Sequence, residues 1–244
     1  MKRFWMRALL CFALSAALLT GCALSPSSQP AESPTDPLTG QELVWPGQRP
    51  VAITIDNAAA STTQWGLSTA SLVLEALTAQ QQSTRLCLVY PAVGAVPQVG
   101  PVSAGQDLYW RLLVGQQVLP VQRGGGQFDQ NYLDYYSLRA VDALEVGTNA
   151  FSCETDWQNV PLWHTSGAAL SGVLGSLNIS PALTESRVTD TSSSSSDSQS
   201  GTLLSVPNLL PMQENGKLPD ADASDAMSVR VQFDAQNATG FTHD

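Results

Sequence analysis

The sequence predicts an α/β fold, a sheet flanked by helices in a central domain, with a short β segment at the C-terminus. Three observations carry that reading. Val51–Ile55 and Leu86–Tyr90 are short apolar runs with the composition of buried strands. Segments after each carry apolar residues at helical spacing, and strand, helix, strand, helix is the order of an α/β domain. Near the end, Val229, Val231 and Phe233 alternate with Arg230, Gln232 and Asp234, the pattern of a half-buried strand.

Taken in order, Val51–Ile55 is the first strand. Leu67, Ala70, Ser71, Leu74 and Leu77 recur at spacings of three and four, which predicts a helix over 67–77 with Ser68 as its cap. Leu86–Tyr90 follows as the second strand. A helix is expected over 106–114, a strand over 117–122, a helix around the aromatic residues of 127–138, and a last helix of small residues over 166–177. Only 11 residues follow Phe233, and a lone strand or hairpin is marginal in water, so residues 226–244 are expected either to need a partner or to belong to a domain cut short here.

Composition marks the boundaries. Lys2, Arg3 and Arg7 precede an apolar stretch from Ala8 to Leu19, which is shorter than the roughly 20 residues of a spanning helix and matches the core of a secretory signal. Leu19-Thr20-Gly21-Cys22 closes it. This run resembles the lipobox of bacterial lipoproteins, which implies cleavage before Cys22, leaving it as the new N-terminus, and diacylation of its sulfur, including palmitate; the other reading is an ordinary signal peptide with an incidental Cys. Residues 22–36 are polar and rich in Ser and Pro and read as a tether. Residues 189–200 are almost wholly small and polar, and cannot bury enough surface to offset the entropy of ordering. The central domain is thus expected over 37–180, and a Ser/Pro-rich linker over 181–225.

The chain is acidic, with a formal charge of −10. Losing residues 1–21 would leave 8 Lys and Arg against 21 Asp and Glu, a charge of −13. Such a chain excludes nucleic acid as a partner and has no basic cluster for an anionic lipid surface. Membrane attachment would rest on the acyl chains, two of which anchor stably where one does not. The expected location is therefore the extracytoplasmic face of the bacterial cell membrane, with another envelope protein as a possible partner. Cys87 and Cys153 remain after processing, and either pair in that oxidising compartment or leave Cys87 as a small buried apolar residue. With no Cys-x-x-Cys and only His164 and His243, neither a metal nor a cofactor is expected.

Several spaced runs resemble the YerB-like family of bacterial lipoproteins. They are Asp36-Pro37-Leu38-Thr39-Gly40; Arg49 through Asn57; Gln64, Gly66-Leu67-Ser68, Ala70 and Glu75; Thr84-Arg85; and Val99-Gly100-Pro101-Val102. The resemblance covers about residues 36–166 and implies an α/β domain followed by a β-rich one, of which residues 226–244 are the expected, incomplete start, with no stated activity. Two departures matter. The family follows Gly-Pro-Val with Arg-Ser-Ala-Arg, whereas this chain has Ser103-Ala104-Gly105-Gln106. Its Pro-His-Asn-Leu-Tyr-Thr run is replaced by Pro161-Leu162-Trp163-His164-Thr165-Ser166. Two Arg on one loop make a permanently charged fork for phosphate or carboxylate, which Ser103 and Gln106 do not replace.

The candidate ligand-binding residues are Asp56, Asn57, Glu75, Arg85, Ser103, Gln106, Arg123 and His164. Asp56-Asn57 ends the first strand, where open α/β sheets place ligands, and is equally a turn signal. Glu75, on the expected helix, and Arg85 are either a buried ion pair or part of a pocket. Arg123-Gly124-Gly125-Gly126 offers backbone amides and a guanidinium to an anion, but lacks the spacing of a phosphate loop and also reads as a flexible turn. His164 has no evident nucleophile partner and reads as a structural histidine. No residue is assigned a catalytic role. Two functional readings follow: a membrane-anchored, non-catalytic module that binds a partner or small ligand, and an envelope enzyme acting on a phosphate- or carboxylate-bearing wall or lipid precursor. The first is preferred because the second needs cations that the loop lacks.

The lipobox reading makes one direct prediction. Cys22→Ala should give an unprocessed or released protein that takes up no labelled fatty acid; a variant that still labels and partitions with membrane would overturn it.

Overall fold

In the computed structural model the described residues are 34–58, 63–78, 83–184, 209, 228–233 and 238–242. The expected signal peptide, the lipobox with Cys22 and the Ser-rich run at 189–200 lie outside them, as do most of the tether and of the linker.

Apolar residues on both sides of a strand require cover on both sides of the sheet, and that requirement organises the domain. Strand β1 (Val51–Asn57) is the middle strand of five. With β2 (Leu72–Leu77), β3 (Thr84–Tyr90), β4 (Leu119–Gln122) and β5 (Val141–Asp142), it forms a mixed sheet in the order β2-β3-β1-β4-β5. The pairs β1–β3 and β2–β3 are antiparallel, whereas β1–β4 and β4–β5 are parallel. Alternation then sends Val51, Ile53 and Ile55 to one face and Ala52 to the other.

Each face has its own helical layer. Helix α1 (Asp107–Leu113) and helix α2 (Gln127–Tyr135) cover the Ala52 face with Tyr109, Trp110, Leu113, Tyr132 and Leu133. A short helix, α3 (Ala143–Val146), follows β5, and its N-terminus is capped by Asp142, which accepts from the amide of Leu144 at 2.8 Å. Helix α4 (Gly167–Leu174) covers the opposite face with Leu170, Val173 and Leu174. Two hairpins complete the described residues: β6 (Ser152–Thr155) with β7 (Pro161–His164), and β8 (Ser228–Gln232) with β9 (Ala238–Thr242). No helix among the described residues is long and apolar enough to cross a membrane.

The helix expected over 67–77 does not form. A single 3₁₀ turn at Leu67–Thr69 is followed by β2, and the cap position is Gly66 rather than Ser68. The run from Leu72 to Leu77 is apolar on alternate as well as on helical positions, and a short run of this kind fits either period. Pairing with β3 decides it. As a strand, the segment packs Leu72, Leu74 and Ala76 into one core cluster and Val73 against the other.

Beyond Ser180, Pro181 and Leu183 hydrogen-bond to Arg49 and Gly47, so the chain stays docked on the domain through Thr184. The guanidinium of Arg49 donates to the carbonyls of Gln117 (2.8 Å), Val118 (3.0 Å) and Ser180 (3.0 Å), tying the start of β1 to the segment entering β4 and to the chain after α4.

The two thiols of the domain are free and differently placed: Cys87 is buried within β3, and Cys153 is exposed on β6. Burial in an apolar layer pushes the Cys87 thiol well above its ordinary pKa. In a chain beginning after Cys22, a thiol reagent should therefore modify one cysteine quickly and the second only on unfolding. No reactive thiol in the native protein would mean that the two are paired.

Candidate functional site

At its carboxyl end β1 changes partner. Parallel pairing with β4 runs from Val51↔Leu119 to Ile53↔Val121 and then stops. Beyond Ile53, the segment 101–103 takes over: Ser103 N donates to Thr54 O, Asp56 N donates to Pro101 O, and Ile55 bridges Val102. Thr54 is fully buried, and its hydroxyl donates to Ser103 O at 2.8 Å. Arg123 N donates to the same carbonyl, and Gly105 N to Gly124 O. The loop carrying Ser103 thus forms a wedge between the ends of two parallel strands, the crevice where open α/β sheets hold ligands.

The wedge draws β7 in. Val102 N donates to Trp163 O at 2.6 Å, while Val99 and Thr165 exchange bonds of 2.9 Å. The Arg123 guanidinium consequently lies 5.2 Å above the Trp163 ring, a cation–π stack that keeps an exposed, permanently charged group in place. His164, the next residue, turns to the other side and meets Trp65 edge-on at 5.2 Å. Its Nε2 lies 3.3 Å from Glu154 Oε1, near enough for an ion pair but out of line for a hydrogen bond. Ser103 serves through its backbone. Gln106 stands at the N-cap of α1 without a capping bond from its side chain.

A second polar group lies on the α4 side of the sheet. Asn57 Nδ2 donates to Glu75 Oε1 (3.1 Å) and Thr84 Oγ1 (2.7 Å), while Gln64 Nε2 donates to Asn57 Oδ1 (2.8 Å) and Asp56 O (3.1 Å). These bonds fix the orientation of the Asn57 amide. The ion pair considered between Glu75 and Arg85 is not formed. Register sets Glu75 opposite Leu86 and Arg85 opposite Ala76 and Asp56, so the two charges occupy opposite faces. Of the candidate residues, Asn57 and Glu75 meet directly. Asp56, Ser103 and Arg123 gather around the wedge by backbone bonds, and Arg85 stands apart from Glu75 and the α4-side cluster.

Sequence reasoning missed a third cluster. Asp129 is buried beneath the glycine loop, where Oδ1 accepts from the Trp110 indole (2.6 Å) and Oδ2 from Gln122 Nε2 (3.0 Å). Gln122 also reaches Asp142 Oδ2 (3.3 Å), and Asp142 Oδ1 accepts from Gly124 N (2.8 Å). Two glycines allow this close approach. A Cβ on Gly105 would stand 2.0 Å from Gln122 Oε1, and one on Gly125 would stand 1.9 Å from Asp129 Oδ2. The signal was present in the sequence, since Asp129 shares the apolar side of α2 with Tyr132 and Leu133 at the third and fourth positions on. Among the described residues no group of His, Cys, Asp and Glu could hold a metal ion.

Comparison with known proteins bears on this arrangement. Residues 38–176 match the family model described as the N-terminal domain of a protein of unknown function, DUF3048. The crystal structure of YerB from Bacillus subtilis is similar at 24% identity with a TM-score of 0.53, over 62% of this chain and 52% of that one. The chain therefore spans about half the length of that relative, and the likeness is one of fold. No curated protein matches the chain.

Burial raises the pKa of Asp129, with the Trp110 and Gln122 donors opposing the shift. A carboxyl whose folded pKa exceeds its unfolded value near 3.9 binds its proton more tightly in the folded state. Its contribution to stability is full below the unfolded pKa and is lost as pH rises through the folded one. Denaturant unfolding from pH 3 to pH 8 should show the stability of wild type falling relative to Asp129→Asn as pH rises. A pH-independent difference would show that Asp129 titrates normally.

Proposed function

Because the chain belongs to the DUF3048 N-terminal domain family, we propose that it is a lipid-anchored lipoprotein of the bacterial envelope whose central domain binds a small ligand or an envelope partner without catalysis. The observation that carries this reading is the Arg123–Trp163 stack at the carboxyl end of β1. It is a preformed planar cation on an aromatic support, next to backbone already committed to hydrogen bonds. Such a surface recognises carboxylate, phosphate or a flat polar group. The buried carboxyl of Asp129 is sealed under Gly105 and Gly125, which keeps it from acting on a bound molecule. Attachment through Cys22 agrees with the leader and the polar tether that follows it.

The loop that carries Ser103 and Gln106 provides the test. Ser103 holds the wedge through its main chain, and Gln106 makes no cap bond, so both side chains can be replaced without removing the bonds that position the loop. Each charge-assisted bond is worth about 1.5–3 kcal/mol. The double variant Ser103→Arg, Gln106→Arg should therefore bind phosphate or pyrophosphate at least about tenfold more tightly than wild type in calorimetric titration. Neither protein should hydrolyse pyrophosphate. Equal affinities would show that this loop is no anion site, and turnover by the wild type would replace the binding reading with an enzymatic one.

A further inference from the structure

The chain ahead of β1 forms a turn that is pinned from inside. Leu38 is buried in the core layer that holds Tyr109 and Trp110. Around it Asp36 N donates to Gln41 O (2.7 Å), the amides of Thr39 and Gly40 donate to Asp36 O, and Asp36 Oδ1 accepts from Leu38 N (2.8 Å). Leu209 N adds a bond to Pro37 O at 3.0 Å. A turn with an apolar anchor and this set of bonds is held in one shape before any ligand arrives.

Between this turn and the sheet lies a cleft of about 320 Å³, where β2 begins at Ser71 and β3 ends at Pro91. Trp45, Val44 and Pro91 supply its apolar wall, and Thr39, Gln41, Glu42 and Ser71 its polar one. Gln41 and Glu42 are exposed, while Thr39, Trp45, Ser71 and Pro91 are half-buried, so each has surface that a bound molecule can touch. Trp45 is seated by its benzo edge. A Cβ on Gly94 would stand 3.0 Å from its Cη2 and 3.1 Å from its Cζ3, so glycine makes the room for this ring. Thr39 Oγ1 accepts from Gln41 N (3.3 Å), which leaves the hydroxyl proton for another acceptor.

We propose that this cleft binds a neutral sugar ring, packed on Trp45 and hydrogen-bonded through its hydroxyls to Thr39, Gln41, Glu42 and Ser71. The site is at the amino end of β1, where Val51 pairs with Tyr90. The Arg123–Trp163 surface is at the carboxyl end, so the proposal does not depend on the function proposed there. The donor set fixes the ligand class. An anion would meet Asp36 and Glu42, and no Lys, Arg or His is among the described residues lining the cleft. A cation would use the carboxylates but could accept nothing from Thr39, Ser71 or the Gln41 amide. A sugar hydroxyl both donates and accepts, which suits all of these groups. The C–H groups on one face of a sugar ring are polarised positively and pack on an indole face, where the quadrupole is negative. The volume is that of a small-ligand site.

The probes are the methyl glycosides of glucose, galactose, mannose and N-acetylglucosamine, with choline and glucose 6-phosphate as charged comparators. Each is titrated by ligand-observed NMR into the chain beginning after Cys22. At least one glycoside should bind saturably, and at least about tenfold more tightly than either comparator. The paired substitution Gln41→Ala, Glu42→Ala should weaken that glycoside about tenfold, and Trp45→Ala should weaken it by at least as much. The pair occupies exposed positions, so it keeps the test decisive if Trp45→Ala fails to fold. Saturable binding of none of the four glycosides would overturn the proposal. A preference for choline or for glucose 6-phosphate, or undiminished glycoside binding in the folded pair variant, would overturn it equally.

Discussion

The change of hydrogen-bond partner along one edge of β1 is the constraint on which the rest of the domain depends. A strand buried on both faces cannot leave its amides and carbonyls unpaired, since each would forfeit its hydration without compensation. On one edge β3 pairs with β1 from Val51 to Asn57. On the other, β4 pairs as far as Ile53 and then leaves. The loop containing Pro101 and Ser103 must therefore fill the gap, and the Thr54 hydroxyl adds a side-chain bond to the same carbonyl that Arg123 holds. Once that loop is fixed, β7 follows it through Val102 and Val99, and Trp163 comes under Arg123. The candidate site is a consequence of strand pairing.

The legible part of this fold is the part where pattern and burial agree. Val51–Ile55 and Leu86–Tyr90 are too short and too apolar to be anything but buried strands between turn signals, and helices α1, α2 and α4 have apolar faces of helical period. The misread element, β2, has apolar residues compatible with both periods, and only the neighbouring strand arbitrates. The error carried into the site. Placing Glu75 on a helix left it free to face Arg85, while a strand in this register sends the two to opposite faces. Asn57 and Asp56 were identified by position at the end of a strand, which is a local signal. Their partners Gln64, Thr84 and Thr239 are set by tertiary contacts that no local pattern encodes.

Polar groups in this domain fall into two physical classes. Asp129, Gln122 and Trp110 are buried and closed over by glycines, and each oxygen of the Asp129 carboxyl accepts a hydrogen bond, although Gln122 Oε1 has no partner. Arg123 is exposed and held by an aromatic ring, and Glu75 has one satisfied and one unsatisfied oxygen. A sealed network contributes rigidity and leaves no atom for a ligand to reach. An exposed group with unused hydrogen-bonding capacity remains available for recognition. Binding chemistry is therefore sought at Arg123 and not at the sealed Asp129.

Positions along the wedge loop also differ in how much sequence change each can absorb. At the wedge, main-chain bonds hold Ser103, so side chains on that loop can exchange Arg for Ser without loss of position. The energetic consequence falls on the ligand: removing guanidinium groups lowers affinity for anions and leaves the loop intact. Gly105 is different, because Gln122 Oε1 occupies the space of a side chain there. A well-packed interior yields to an added methyl group only by moving, at a typical cost of about 1–3 kcal/mol. The charge carried at positions 103 and 106 and the missing Cβ at Gly105 are thus separable features. The first alters what the surface recognises; the second fits the loop to the Asp129–Gln122 network beneath it.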